Sequence, residues 1–269
     1  MSKTRIYDQF YTPIELAKRL IDLTYEVIGK NNITEIIEPS AGDGSFSSQI
    51  KDCIAYDIDP KNSSIKQQDF LQLNLSYKKG RLFIGNPPFG NSNKYLQFYN
   101  RCCLYGDYIA FILPPSQYKY SLRCYKFDLI YSELLGSVNY QGHIIRSQCF
   151  NIYKRPINGI LNKKVSYKLK DIEIIDYRKY YTWDINKEKS NWDIAFCGWG
   201  DGTLGKRINK PHTYAREIYV YVKNKQYLKQ IDVLLSRENL LKNFTGIASS
   251  FVSNNMLYIY LRNNIKNLK

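Results

Sequence analysis

Ile84-Gly85-Asn86-Pro87-Pro88-Phe89-Gly90 follows Arg81-Leu82-Phe83, a short apolar run of strand character, so Asn86 falls where a strand gives way to a loop. Two consecutive prolines fix φ at about −65° and carry carbonyls with no competing N–H. The result is a stiff turn with an acceptor side chain before it and an aromatic ring after it. Asn86 Oδ1 and the Pro87 carbonyl can each take one hydrogen of an NH2 group, drawing its lone pair out of conjugation, while Phe89 stacks on the ring that carries the amine. A Pro-Pro turn closing a core strand is the plainer reading of the same residues. The sequence around them decides between the two.

Upstream, Ile33-Thr34-Glu35-Ile36-Ile37 reads as a buried strand running into Glu38-Pro39-Ser40-Ala41-Gly42-Asp43-Gly44-Ser45-Phe46. The glycines allow a tight turn and close approach of backbone to a ligand, and a helix is expected to open from Ser45. This is not the dinucleotide fingerprint, because Ser47 stands where its third glycine belongs. Cys53-Ile54-Ala55-Tyr56 gives a second strand whose tip carries Asp57-Ile58, and an acid at that place holds a ribose diol in open α/β sheets. Asp69-Phe70 follows a polar stretch, with a carboxylate able to accept from an adenine amine and a ring able to cover its face. Ahead of all this, Thr12-Pro13-Ile14-Glu15 has the form of a helix start, with Thr12 as N-cap, Pro13 at the first helical position and Glu15 closing a capping box. Apolar residues at Ile14, Ala17, Ile21, Tyr25 and Ile28 keep helical spacing up to Gly29.

In this order, residues 8–90 resemble the γ-ordered adenine-N6 DNA methyltransferases. The resemblance implies a Rossmann-like class I methyltransferase, an α/β domain over residues 1–156 with a mostly parallel sheet ending in a β-hairpin. It implies S-adenosyl-L-methionine as cofactor, contacted by Tyr11, Thr12 and Pro13, by Glu38, Ser40, Ala41, Gly42, Asp43 and Gly44, by Asp57, Ile58, Asp69 and Phe70, and by Asn86. A sulfonium cofactor with an ammonium group also accounts for Glu38 and Asp43 in a loop where a pyrophosphate would be repelled. Asn86, Pro87, Pro88 and Phe89 are the implied catalytic residues. Phe89 faces the target base, and Tyr140 is the candidate for its second wall.

Beyond the motif, residues 94–104 read as a helix and residues 107–113 as a strand stopped by Pro114-Pro115. Residues 90–93 read as a polar loop, and residues 138–153 as a β-hairpin turning near Gln141-Gly142. Lys154-Arg155-Pro156-Ile157-Asn158-Gly159 looks like a boundary. Residues 157–269 are then a small α+β appendage, where such enzymes carry target recognition. In it, 165–177, 192–196 and 217–222 read as strands, 226–241 as a helix and 256–261 as a last strand. Gly200-Asp201-Gly202-Thr203-Leu204-Gly205-Lys206 matches the start of a phosphate-binding loop, but Arg207 replaces the magnesium-binding hydroxyl and Pro211 interrupts the helix that should follow. A basic loop offering Lys206 and Arg207 to a nucleic-acid backbone is the better reading.

The 269 residues carry 39 Lys and Arg against 24 Asp and Glu, a formal net charge of +15. Such a balance favours a polyanionic partner, although a lysine-rich composition from an AT-rich genome accounts for part of it. Six cysteines without a Cys-x-x-Cys pair and two distant histidines suggest neither a metal site nor a disulfide framework. No run is apolar enough for a signal peptide or membrane span, so a cytoplasmic setting is expected. The expected partner is nucleic acid, DNA before RNA, with a companion nuclease or methyltransferase subunit allowed. RNA adenine, a protein glutamine amide and a catalytically silent nucleic-acid-binding subunit are the competing readings. Cytosine-C5 chemistry is disfavoured because the chain has no Pro-Cys pair.

Overall fold

The structure, a computed structural model, describes residues 10–89, 93–145, 148–178, 192–200, 202–211, 213–244 and 252–269. Residues 90–92 of the expected polar loop, Ser147 of the expected hairpin and Asp201 of the glycine loop lie outside them. The chain divides into two compact units, Met1–Lys164 and Val165–Lys269.

In the first unit, α1 (Ile14–Ile28) precedes β1 (Glu35–Glu38), β2 (Ile54–Asp57), β3 (Lys66–Gln67) and β4 (Arg81–Gly85). Next come α2 (Lys94–Tyr105), β5 (Tyr108–Leu113), β6 (Asp128–Leu134), β7 (Val138–Tyr140), β8 (His143–Ile145) and β9 (Cys149–Lys154). Seven of the strands form one sheet in the order β3-β2-β1-β4-β5-β9-β6. The first five run parallel, and β9 is antiparallel to both β5 and β6. This is the mostly parallel α/β sheet expected of a Rossmann-like class I domain.

The apolar runs read as strands are buried on both faces, as parallel strands under two helical layers must be. Leu82, Ile84, Ala110, Ile112, Phe150 and Ile152 pack with Ala17, Leu20 and Ile21 of α1 on one face. Phe83, Ile109, Phe111 and Tyr153 pack with Phe98, Tyr99 and Cys103 of α2 on the other. Arg81 closes the bottom of β4 from within: its guanidinium pairs with Glu35 of β1 and donates to the carbonyls of Ser76 (2.6 Å) and Tyr105 (2.9 Å).

Three expectations for this unit need correction. α1 starts at Ile14 with Pro13 at the cap and no side-chain cap bond, so there is no capping box, and the Thr12 hydroxyl serves Asn86 instead. No helix opens at Ser45; the glycine loop ends in a single 3-10 turn, Ser47–Gln49. The expected hairpin of residues 138–153 is two separate things. β7 and β8 form a small two-stranded sheet across Gln141 and Gly142, both at positive φ (49° and 91°), while β9 enters the main sheet. A two-residue turn with both φ values positive matches the twist of a tight hairpin, which is why the pairing closes so early.

The second unit has β10 (Ile172–Arg178), β11 (Ile194–Cys197) and β12 (Arg216–Val222) in an antiparallel sheet of order β10-β12-β11, with α3 (Leu228–Leu234), α4 (Arg237–Phe244) and α5 (Asn254–Asn264). Three expectations change here, the first being the strand expected over 165–177, which begins only at Ile172. The helix expected over 226–241 breaks at Leu235-Ser236 into α3 and α4, the break held by Asn239 Nδ2 donating to the Val233 carbonyl (2.8 Å). The strand expected at 256–261 is helix α5, capped by the Ser253 hydroxyl accepting from Met256 N–H. Met-Leu-Tyr-Ile-Tyr-Leu is apolar throughout, and periodicity cannot tell a buried helix from a buried strand in such a run. The glycine loop does not lead into a helix: Arg207 returns to bridge Phe196, and Cys197 N–H donates to the Lys206 carbonyl (2.9 Å).

Arg81→Met leaves Glu35 with Lys78 as its remaining cation and removes a donor from the carbonyls of Ser76 and Tyr105, and should cost about 1–3 kcal/mol. Glu35→Leu combined with it should recover part of that loss. Urea denaturation of both variants checks this, and a single variant as stable as the wild type contradicts it.

Candidate active site at the carboxyl ends of the parallel strands

Strand order reverses between β1 and β4, and the crevice beyond their carboxyl ends is where open α/β sheets bind ligands. β1 ends at Glu38 and β4 at Gly85. A Cβ on Gly85 would lie 3.4 Å from Glu38 Cγ, so the start of the glycine loop and the start of Asn86-Pro87-Pro88-Phe89 meet at this point.

The glycine loop is tied to the tip of β2. Asp57 accepts from Gly42 N–H through Oδ2 (2.7 Å) and from Asp59 N–H through Oδ1 (2.8 Å), and Lys61 N–H donates to the Gly42 carbonyl (2.9 Å). Each carboxylate oxygen keeps a second lone pair for a hydroxyl. Gly42, at φ 59°, lies under the Tyr11 ring, where a Cβ would come within 2.9 Å of Tyr11 Cδ1. Tyr11, Thr12 and Pro13 then border a cleft of ≈ 300 Å³ with Asp43, Gly44 and Ser45. Asn139 and Gln141 of the β7–β8 hairpin also line it, and nothing in their sequence context marks them. Ala41 is buried, and its N–H donates to the Tyr56 carbonyl (2.9 Å). The Ser40 hydroxyl is buried without a hydrogen-bond partner among the described residues. An orphaned hydroxyl in a loop bordered by carboxylates suits a ligand with both acceptor and cationic groups.

Glu38 is 2% exposed and accepts from Ser47 N–H (2.8 Å). Burial pushes its carboxyl up to about 8, and the nearby Asp43 and Asp57 add to the rise while the Ser47 hydrogen bonds oppose it. Asp69 caps a 3-10 turn by accepting from Leu71 N–H (2.9 Å). Ile58 is half exposed beside Asp57.

Asn86 follows β4. Its Nδ2 donates to the Phe10 carbonyl (3.3 Å) and to Thr12 Oγ1 (3.3 Å), which leaves Oδ1 without a partner among the described residues. Pro87 is buried and Pro88 partly so. Phe89 is partly buried, packs against both layers of the core and meets Tyr95 edge to face at 6.3 Å.

Two site candidates are placed elsewhere. Phe70 is 1% exposed, stacked on Phe98 at 5.9 Å and edge-on to Phe83 at 5.7 Å, so its ring surface is taken up by the core. Tyr140 is equally buried; its hydroxyl is bonded to the Gln148 side chain and its ring packs edge to face against Phe10 at 5.8 Å. Lys206 and Arg207 belong to the second unit, where Lys206 is exposed and Arg207 is paired with Asp232 (2.6 Å). Trp199, unmarked in the sequence reading, is half exposed in the same loop.

No family model and no curated protein matches the chain. Among solved structures, a provisionally assigned RNA methyltransferase from Pyrococcus horikoshii is similar over 57% of this chain and 90% of its own, at 17% identity and a TM-score of 0.43. A provisionally assigned class I S-adenosylmethionine-dependent methyltransferase from Listeria monocytogenes is similar over 57% of this chain and 62% of its own, at 15% identity and a TM-score of 0.45. A chain of a type I restriction–modification system matches 55% of this chain and 42% of its own, at 13% identity and a TM-score of 0.42. Likenesses this distant add nothing to what the strand order already says.

Because the folded Glu38 carboxyl titrates above its unfolded value, its contribution to stability is complete below a pH of about 4.5 and is lost as pH rises through about 8. Glu38→Gln removes that loss. Between pH 5 and 8 the wild type should therefore lose more thermal stability than the variant, and parallel melting curves across the range would show that Glu38 is ionised in the fold.

Proposed function

We propose that the chain is an S-adenosylmethionine-dependent methyltransferase acting on the N6 amine of adenine in DNA. The observation that carries the reading is the meeting of an acceptor-rich, donor-poor loop, Asn86-Pro87, with a glycine loop of acidic surroundings across the ends of two adjacent strands. An acceptor pair without a nucleophile suits an amine whose nitrogen gains positive charge, and an acidic cleft suits a cationic cofactor.

In this reading Tyr11, Pro13, Ser40, Gly42, Asp43 and Gly44 hold the methionine end of the cofactor, while Thr12 beside them gives its hydroxyl to Asn86. Asp57 holds the ribose, and Asp69 the adenine amine. Ile58, half exposed beside Asp57, offers the adenine face the apolar cover that the core-bound Phe70 does not. The cofactor supplies an electrophilic methyl group on sulfonium. Asn86 Oδ1 and the Pro87 carbonyl accept the two hydrogens of the target amine, orient its lone pair and stabilise the charge developing on nitrogen. Phe89 stacks on the base after it leaves the duplex.

The second unit is proposed to contact the nucleic acid. Trp199 is flanked by Gly198 and Gly200 in a loop closed by Thr203 Oγ1 donating to the Trp199 carbonyl (2.6 Å) and by Arg237 donating to Gly202 O (3.3 Å). A half-exposed indole on so constrained a backbone is prepared to stack on a base at little entropic cost. Lys206 supplies a cation from the same loop, whereas Arg207 is already occupied by Asp232.

Labelled cofactor incubated with duplex DNA, single-stranded DNA and structured RNA should place label in N6-methyldeoxyadenosine. Label confined to ribonucleosides moves the substrate to RNA, and an absence of cofactor binding by calorimetry points to a silent subunit. Asn86→Ala should lower turnover by about 10²–10³ with cofactor affinity retained; turnover at the wild-type rate rejects the assignment. Trp199→Ala should raise the KM for nucleic acid by about tenfold at unchanged kcat, and a KM that does not move removes Trp199 from the interface.

A further inference from the structure

We infer that the segment at residues 10–12 fixes which way round the Asn86 amide stands, and that Thr12 is a positioning residue for the transfer. The inference rests on the reading of Asn86 as the acceptor for an amine. A carboxamide can be turned by half a rotation to exchange its oxygen and nitrogen, and only one orientation accepts from an amine; the other presents donors to donors. Asn86 Nδ2 has two hydrogens, and both partners stand at 3.3 Å: the Phe10 carbonyl and the Thr12 hydroxyl. A backbone carbonyl can only accept, so the Phe10 contact admits nitrogen and refuses oxygen. The Thr12 hydroxyl could serve either atom by itself. With the Phe10 carbonyl setting the choice, it holds the second hydrogen and removes the remaining freedom about the amide axis.

The holding segment is itself anchored on both sides. Phe10 packs edge to face on Tyr140 (5.8 Å) and His143 (6.1 Å) of the β7–β8 hairpin. The Tyr140 hydroxyl is bonded to the Gln148 side chain, one residue before β9 of the main sheet. Tyr11 rests on Gly42 in the glycine loop, and Pro13 O accepts from Ala17 N–H (2.9 Å) to start α1. Thr12 is 6% exposed, so water does not readily replace its oxygen as a partner for Asn86. Tyr140 thus acts two contacts away from the chemistry, as the anchor for Phe10.

Thr12→Val keeps the shape and removes the acceptor, whereas Thr12→Ser keeps the acceptor. Valine should lower kcat about tenfold, the worth of one buried hydrogen bond, with the cofactor Kd changed less than twofold, and serine should restore turnover. A second readout does not depend on activity. The side-chain NH2 of Asn86, followed by nitrogen-15 NMR and assigned with Asn86→Asp, should exchange slowly with solvent in the wild type and in Thr12→Ser, and faster in Thr12→Val. Equal exchange in all three overturns the inference, as does a valine variant with full kcat. A valine variant that loses cofactor affinity in step with turnover also overturns it, by making Thr12 a cofactor ligand. A wild type that shows the exchange pattern yet transfers methyl to no amine leaves the clamp standing and overturns the reading of Asn86.

Discussion

The chain leaving β1 and the chain leaving β4 depart to opposite faces of the sheet. Phe46 and Ile50 of the glycine-loop segment pack with α1, while Tyr95 and Phe98 of α2 pack on the other side. The polar groups released at Glu38 and Gly85 must therefore be satisfied by loops, caps or a ligand. Asp57 satisfies the glycine loop, Ser47 N–H satisfies Glu38, and the Phe10 carbonyl and Thr12 satisfy the nitrogen of Asn86. Among the described residues, the Ser40 hydroxyl and Asn86 Oδ1 are left over.

The electrostatics of this corner run against those of the whole molecule. A chain of net charge +15 gathers Glu38, Asp43, Asp57 and Asp69 around one set of strand ends. All of Asp57, Asp69 and Glu38 accept backbone N–H groups, but burial, with Asp43 and Asp57 nearby, pushes the Glu38 carboxyl up to about 8. A cation entering the cleft lowers the cost of ionising it, so the local acidity and the overall basicity are compatible if the cofactor is cationic and the polymer anionic.

The parts of this arrangement that were legible in the sequence are local ones. Apolar runs bounded by glycine, proline or an acid marked β1, β2, β4 and β5, and spacing marked α1 and α2, because burial and backbone geometry act over a few residues. What escaped depends on partners far along the chain. Phe70 beside Asp69 looks like a cover for a ligand until Phe83 and Phe98 close on it. Tyr140 looks like a wall of a base pocket until Phe10 arrives 130 residues upstream. The run at Met256 to Leu261 carries no period to choose by, and Ser253 settles it as a helix by capping. Thr12 was read as a helix cap by spacing alone, and its hydroxyl went to Asn86 because Pro13 had already taken the cap position.

That last displacement bears on how the two halves of the site communicate. Three successive residues carry four contacts: Phe10 to the hairpin and to the Asn86 amide, Tyr11 to Gly42 of the glycine loop, Thr12 to Asn86 while bordering the cleft. An occupant of the cleft meets Tyr11 and Thr12, and whatever orders Thr12 orders the Asn86 amide bonded to it. The coupling needs no domain motion and no long pathway, since one hydroxyl is shared by two pockets. Under the proposed function, an ordered cofactor half would favour the amine-accepting orientation of Asn86 before a base arrives, and a base bound first would meet an acceptor held by fewer contacts.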